Sequence, residues 1–331
     1  MRYKSIDVFK GILVLFMVYA HSVQFFILRT GRGGSFAYLA SDYINLTTFS
    51  GFMFAFGFVC CNAYIKKPFA QIYKRLLVNI IKTMLAFYIS SIAFTIFIAR
   101  IPSSQFPLMD LLLVRRLAGW SEFILSFAVT MLLVLVLHKP MQKAGKWLPY
   151  FIAATAIIAT VLPLHISDPF IATFVGRAPF PTFTVLPYGI FFAGGVWVAQ
   201  REIRFNWVLL GICVVGLVYF IATYMVGGGL PSRFPVSLAW MAGSMFFVYM
   251  YYLVSHGIAN TKIGTMLQNI GSQSLFYLLM SNIFIFALAG MRFTEASHTF
   301  TTIAFVTIMV VMYYLSSLCT KNTSIANLGG K

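Results

Sequence analysis

Three residues able to do chemistry, Asp7, Lys10 and His21, lie in the first long apolar run of this sequence. A charged side chain at the centre of a membrane helix costs roughly 2.5–3.5 kcal/mol on insertion scales, so such residues usually face a bundle interior. At about 100° per residue, the step from Lys10 to His21 ends about 20° past three full turns. The two therefore share a helical face, about 16 Å apart along the axis at ~1.5 Å per residue. Asp7 falls in the same stripe. A cation at the helix mouth can hold a phosphate of a cytoplasmic donor. An imidazole deep in the bundle, near the midplane, can move a proton near neutral pH. The plainer alternative has Lys10 snorkelling to headgroups and His21 bonded to a neighbouring helix.

The elements that must position these residues are membrane helices. The 331 residues are 60% hydrophobic and 9% charged, with mean hydropathy +0.88, whereas a soluble domain is about a quarter charged. Ten runs approach the ~20 apolar residues that a span needs: 8–28, 44–65, 76–99, 118–138, 147–164, 182–200, 206–226, 235–255, 270–290 and 299–319. No long polar segment divides them. Residues 1–331 therefore read as one all-α polytopic membrane domain of about ten transmembrane helices. The run from Val8 lacks a small-residue cleavage exit, so it reads as a retained helix and not as a signal peptide.

Charge sets the expected orientation. With the N-terminus in the cytoplasm, sixteen of the 24 Lys and Arg fall inside and eight outside. That bias supports both termini being cytoplasmic. All eight outer cations are arginines (Arg29, Arg32, Arg100, Arg115, Arg116, Arg177, Arg233 and Arg292), and every lysine is inside. The planar guanidinium fork suits carboxylates, phosphates and sugar oxygens. Arg115, Arg116 and Arg233 are thus candidates for a mouth that holds a polar or anionic substrate, against the alternative of ordinary loop charge. The net charge of +17 fits a membrane surface with anionic headgroups. No nucleic-acid module is recognisable, so nucleic acid is not expected as a partner.

Other polar residues sit inside apolar runs. Glu122 is the one acid within a span besides Asp7 at its border. It is expected either to pair with His21 or a cation, or to help hold a substrate. Arg75 and Lys82 can contact donor phosphates or simply follow the positive-inside rule. Ser281 and Asn282 can line a pocket or bond across helices. Cys60, Cys61, Cys213 and Cys319 lie in apolar runs and read as buried. Neither they nor His138, His165, His256 and His298 make a metal spacing, so no metal is expected.

The run Asp7-Val8-Phe9-Lys10-Gly11 followed by His21 resembles the first-helix signature of acyltransferase family 3, within the transmembrane acyltransferase superfamily. That signature is an Asp, a basic residue three later and a His eleven after that; the basic residue is usually Arg, here Lys10. Phe52 to Phe58 resembles the aromatic second helix, with Phe56 where Ser is common. Lys74, Arg75 and Lys82 resemble the basic run into helix three. Ile270 to Ser281 resembles a Gly…Ser…Tyr…His segment, with Ser281 at the His position.

The resemblance implies O-acyl transfer, usually of acetyl, from acyl-CoA to a hydroxyl of a carbohydrate or lipid-linked glycan. It implies a bacterial inner membrane and a standalone form without an extra soluble hydrolase-like domain. On this reading His21 is the catalytic base or an acyl carrier, with Glu122 as a second candidate. Asp7, Lys10, Arg75 and Lys82 would bind acetyl-CoA. Arg115, Arg116, Arg233, Ser281 and Asn282 would bind the acceptor. The expected partners are acyl-CoA, the glycan or lipid-linked sugar and the lipid bilayer; an oligomer is compatible. The rival reading is a polytopic transporter or flippase for a polar or anionic substrate, against which stands the lack of an inverted repeat.

Overall fold

The computed structural model describes residues 3–30, 34–162, 166–175, 183–291 and 297–328, with side chains omitted at 30, 35 and 319–328. Arg2, Arg32, His165, Arg177, Arg292 and Lys331, and the side chains of Cys319 and Lys321, lie outside the described residues. The helices in chain order are α1 (Lys4–Phe26), α2 (Ser35–Cys60), α3 (Phe69–Phe94), α4 (Leu108–Leu112), α5 (Glu122–Val136), α6 (His138–Ala144) and α7 (Leu148–Val161). They continue as α8 (Pro169–Val175), α9 (Val185–Arg201), α10 (Trp207–Gly227), α11 (Leu238–Ile258), α12 (Lys262–Ser272), α13 (Ser274–Gly290) and α14 (His298–Leu328). Among the described residues the one β feature is an isolated bridge between Arg233 and Val236.

Each of the ten apolar runs overlaps a helix, but helix length does not confirm a count of about ten spans. Among the described residues seven helices are long and apolar enough to cross a membrane, or eight if α12 and α13 count as one span bent by 77°. The run 118–138 yields a helix of 15 residues, α5. The run 182–200 yields one of 17, α9. At ~1.5 Å per residue neither crosses a ~30 Å hydrocarbon core alone. Local chemistry explains the shortening. Trp120 (φ 60) breaks the chain before α5, and Glu202 (φ 53) ends α9 in the left-handed region. Conversely, the short run 147–164 joins the preceding turns into one span, His138–Val161.

The central element is α1, packed against α2, α11, α12, α13 and α14. Helices in lipid gain little from apolar burial against one another, so close approach through small residues matters. A Cβ on Gly11 would lie 2.2 Å from the Leu267 carbonyl oxygen, and one on Gly271 would lie 1.8 Å from that of Asp7. Glycine at both positions lets α12 press its backbone against the first turns of α1. Serines add polar ties: Ser244 donates to the Leu46 carbonyl at 2.6 Å, joining α11 to α2. Cys60, Cys61 and Cys213 are buried free thiols.

Candidate functional site

The site grows from the C-terminal half of α1. His21 sits five residues before the helix ends at Phe26, or about 7.5 Å at the usual rise. It is therefore nearer that end than the middle. It lines a cavity of about 320 Å³ with Gln24, Asn45, Thr48, Trp120, Glu122, Arg233 and a cluster of phenylalanines. Three residues singled out from sequence, His21, Glu122 and Arg233, thus meet in one cavity, although 212 residues separate the first from the last.

The amide of Asn282 orients the imidazole. The Asn282 Nδ2 group donates to Ser90 Oγ at 3.0 Å and to the Trp120 carbonyl at 3.0 Å. A carbonyl can only accept, so the Nδ2 side of the amide faces Trp120 and Oδ1 faces His21. The 3.1 Å contact between His21 Nδ1 and Asn282 Oδ1 must then be an Nδ1–H donation. A neutral ring with Nδ1 protonated keeps its lone pair on Nε2. Asn282 is fully buried and does not line the cavity; its place is behind the histidine. The Ser90 hydroxyl extends the network to Ser121 Oγ at 2.7 Å. Ser281 is also fully buried, donating to the Leu278 carbonyl of its own helix.

Glu122 opens α5, where the positive end of the helix dipole favours a carboxylate. The residue is buried and its Oε2 has no hydrogen-bond partner. Arg233 stands in the short segment between α10 and α11. Ser237 N bonds back to the Ser232 carbonyl at 2.9 Å, and Ser232 Oγ donates to the Pro235 carbonyl at 2.8 Å, fixing this turn. The guanidinium is held between rings, 4.9 Å from Phe183 and 4.7 Å from Phe234. Burial lowers the Arg233 pKa, and the nearby Tyr188, Glu122 and Asp42 raise it. Its Nε is buried without a partner. An unpartnered buried polar atom costs on the order of 1–3 kcal/mol unless something satisfies it. Both residues line the same cavity, although these two atoms are themselves enclosed by protein.

Sequence reasoning missed Gln24, Asn45 and Trp120. The indole Nε1 of Trp120 donates to Gln24 Oε1 at 2.8 Å, and Gln24 Nε2 donates to Ser41 Oγ at 3.0 Å and Asn45 Oδ1 at 3.3 Å. Gln24 follows His21 by three positions, so helical phase could have placed it on the same face.

The remaining candidates lie elsewhere. Lys10 Nζ pairs with Asp7 Oδ1 at 2.8 Å near the start of α1, about 16 Å below His21 along the axis. Arg75 and Lys82 are exposed on α3, which packs against α5 and α13. Lys82 shares its outward face with Val78, Leu85 and Ile89, the pattern of a lysine on a lipid-facing stripe. Arg115 and Arg116 line a separate cavity beside the first. No group of three or more His, Cys, Asp or Glu among the described residues could hold a metal ion.

The acyltransferase-domain model of acyltransferase family 3 matches residues 3–320. No curated protein matches the chain, and no solved structure does.

Proposed function

This chain belongs to acyltransferase family 3 and is a membrane acyltransferase, and from that premise we propose that it moves an acetyl group from acyl-CoA to a hydroxyl of a carbohydrate or lipid-linked glycan. The observation that carries the reading is the His21–Asn282 bond at the edge of a cavity that also holds Glu122 and Arg233. The free Nε2 lone pair takes the acceptor's hydroxyl proton as that oxygen attacks the thioester carbonyl. The C–S bond breaks, the new ester forms, and the proton passes to the leaving thiolate. Glu122 and Arg233, which line the cavity, bind the polar groups of the acceptor.

The donor enters from the start of α1, taken as the cytoplasmic face of a bacterial inner membrane. Lys10 faces the CoA phosphates there, with Asp7 holding its ammonium in place. The extended pantetheine arm can bridge the distance of about 16 Å from Lys10 to His21. Exposed Arg75 and Lys82 add a positive field at that surface and no contact at the reacting atoms. The transporter reading has no comparable support, because the family match is to acyltransferases.

The test is transfer of radiolabel from acetyl-CoA to membrane glycan by purified protein in lipid nanodiscs. His21→Ala is expected to abolish transfer while preserving a monodisperse, folded protein. Transfer by that folded variant at the wild-type rate would sink the mechanism.

A further inference from the structure

The cavity beside the His21 pocket has a character of its own. Its volume is about 480 Å³, and Arg115, Arg116, Ser167 and Trp120 line it. The two cavities share Gly119 and Trp120. Trp120 forms the partition. Its Nε1 bonds to Gln24 of the His21 pocket, while its ring stacks on Phe94 of the neighbouring cavity at 5.8 Å. The segment is held in an unusual shape: Val114 (φ 55) and Trp120 (φ 60) bracket the two arginines in the left-handed region, which non-glycine residues rarely adopt. The backbone N–H groups of Arg115 and Arg116 both bond to the Asp110 carbonyl, at 2.8 and 3.2 Å.

Charge gives the cavity its chemistry. Two consecutive arginines line it, both exposed, and among the described residues no ion pair to either is found. Two positive side chains at one cavity attract an oxyanion. The planar forks of two arginines match a carboxylate or phosphate.

We propose that this second cavity is the acceptor's anionic subsite: Arg115 and Arg116 hold a carboxylate or phosphate on the sugar, and a hydroxyl reaches His21 past Gly119. The acceptor class is therefore an acidic glycan or a sugar phosphate, not a neutral sugar. This inference rests on the reading of the His21 pocket as the acyl-transfer centre.

The test separates the two claims. Binding to protein in nanodiscs is measured for three probes: methyl β-glucuronide, glucose 1-phosphate and methyl β-glucoside. At least one charged probe is expected to bind about tenfold or more tightly than the neutral one, the scale of a charge-assisted hydrogen bond. Which charged probe wins tells carboxylate from phosphate. The double variant R115Q/R116Q is expected to erase the preference and leave affinity for the glucoside unchanged. His21→Ala is expected to keep the preference while losing transfer from radiolabelled acetyl-CoA. Equal binding of all three probes by the wild-type protein overturns the subsite, as does a charged preference that survives in R115Q/R116Q. A charged preference together with undiminished transfer by His21→Ala instead overturns the transfer centre and spares the subsite.

Discussion

The two ends of α1 carry similar residue types and solve opposite problems. At the start, the lysine and the aspartate satisfy each other, Lys10 to Asp7 at 2.8 Å. Toward the end, the imidazole is oriented by Asn282, yet Glu122 and Arg233 line a cavity and each keeps one buried atom without a partner. A closed ion pair can hold a mobile ligand only by sharing its charge. Buried polar atoms without partners leave stabilisation still to gain. The difference separates a region that receives from a region that reacts.

The largest expected effect comes from breaking the reacting end. His21→Ala removes the only imidazole among the described residues that line the cavity, and kcat should fall by roughly 10²–10⁴-fold, the usual worth of a general base. Acetyl-CoA affinity, read by equilibrium binding, should change little. Next is Asn282→Ala, which releases Nδ1 and lets the ring rotate or adopt the other tautomer. A loss of roughly 10–100-fold in kcat is typical for an orienting partner, with the acceptor KM unchanged. A rise in KM alone would instead make Asn282 a substrate contact.

Smaller effects sharpen the other end. Gly271→Ala places a Cβ against the Asp7 carbonyl and must push α12 off α1. About 1–3 kcal/mol of stability should be lost, seen as a lower midpoint in thermal unfolding. The smallest effect belongs to the Lys10–Asp7 pair, whose side chains are 19% and 10% exposed. In a pair this buried, desolvation offsets much of the attraction, while removing one partner leaves the other charge uncompensated. Lys10→Gln should raise the acetyl-CoA KM several-fold with little change in kcat. Adding Asp7→Asn should recover stability without recovering KM. Recovery of KM in the double variant would show that Lys10 serves only Asp7.

Much of α1 could be read from periodicity. The spacing of Lys10 and His21 is a property of one helix, so phase and distance follow from counting. Glu122 could be singled out because an acid in an apolar run is costly wherever it points. What could not be read was who meets whom. Asn282 reaches His21 across 261 positions, and no local rule pairs them. The arginines expected at a single mouth separate, because Arg233 folds in under Phe183 and Phe234 while Arg115 and Arg116 stay on the far side of Trp120. Helix length leaves the expected count of about ten spans unconfirmed, for a physical reason. Hydropathy registers apolar residues but not the backbone reversal at Trp120 or the bend at Gln273 that cut helices short.

The peripheral helix α10 has a consequence of its own. Cys213 is its one buried side chain, and Trp207, Val208, Val215 and Val226 all point outward. Its neighbours therefore constrain little beyond the seam where Gly216 meets Ala242 of α11. On the outward face of α10 one apolar residue serves as well as another, while Phe220 packs tightly against Gly243 of α11. This stretch is free to drift in composition over evolutionary time, and it is the place to attach a bulky reporter without disturbing the reaction centre.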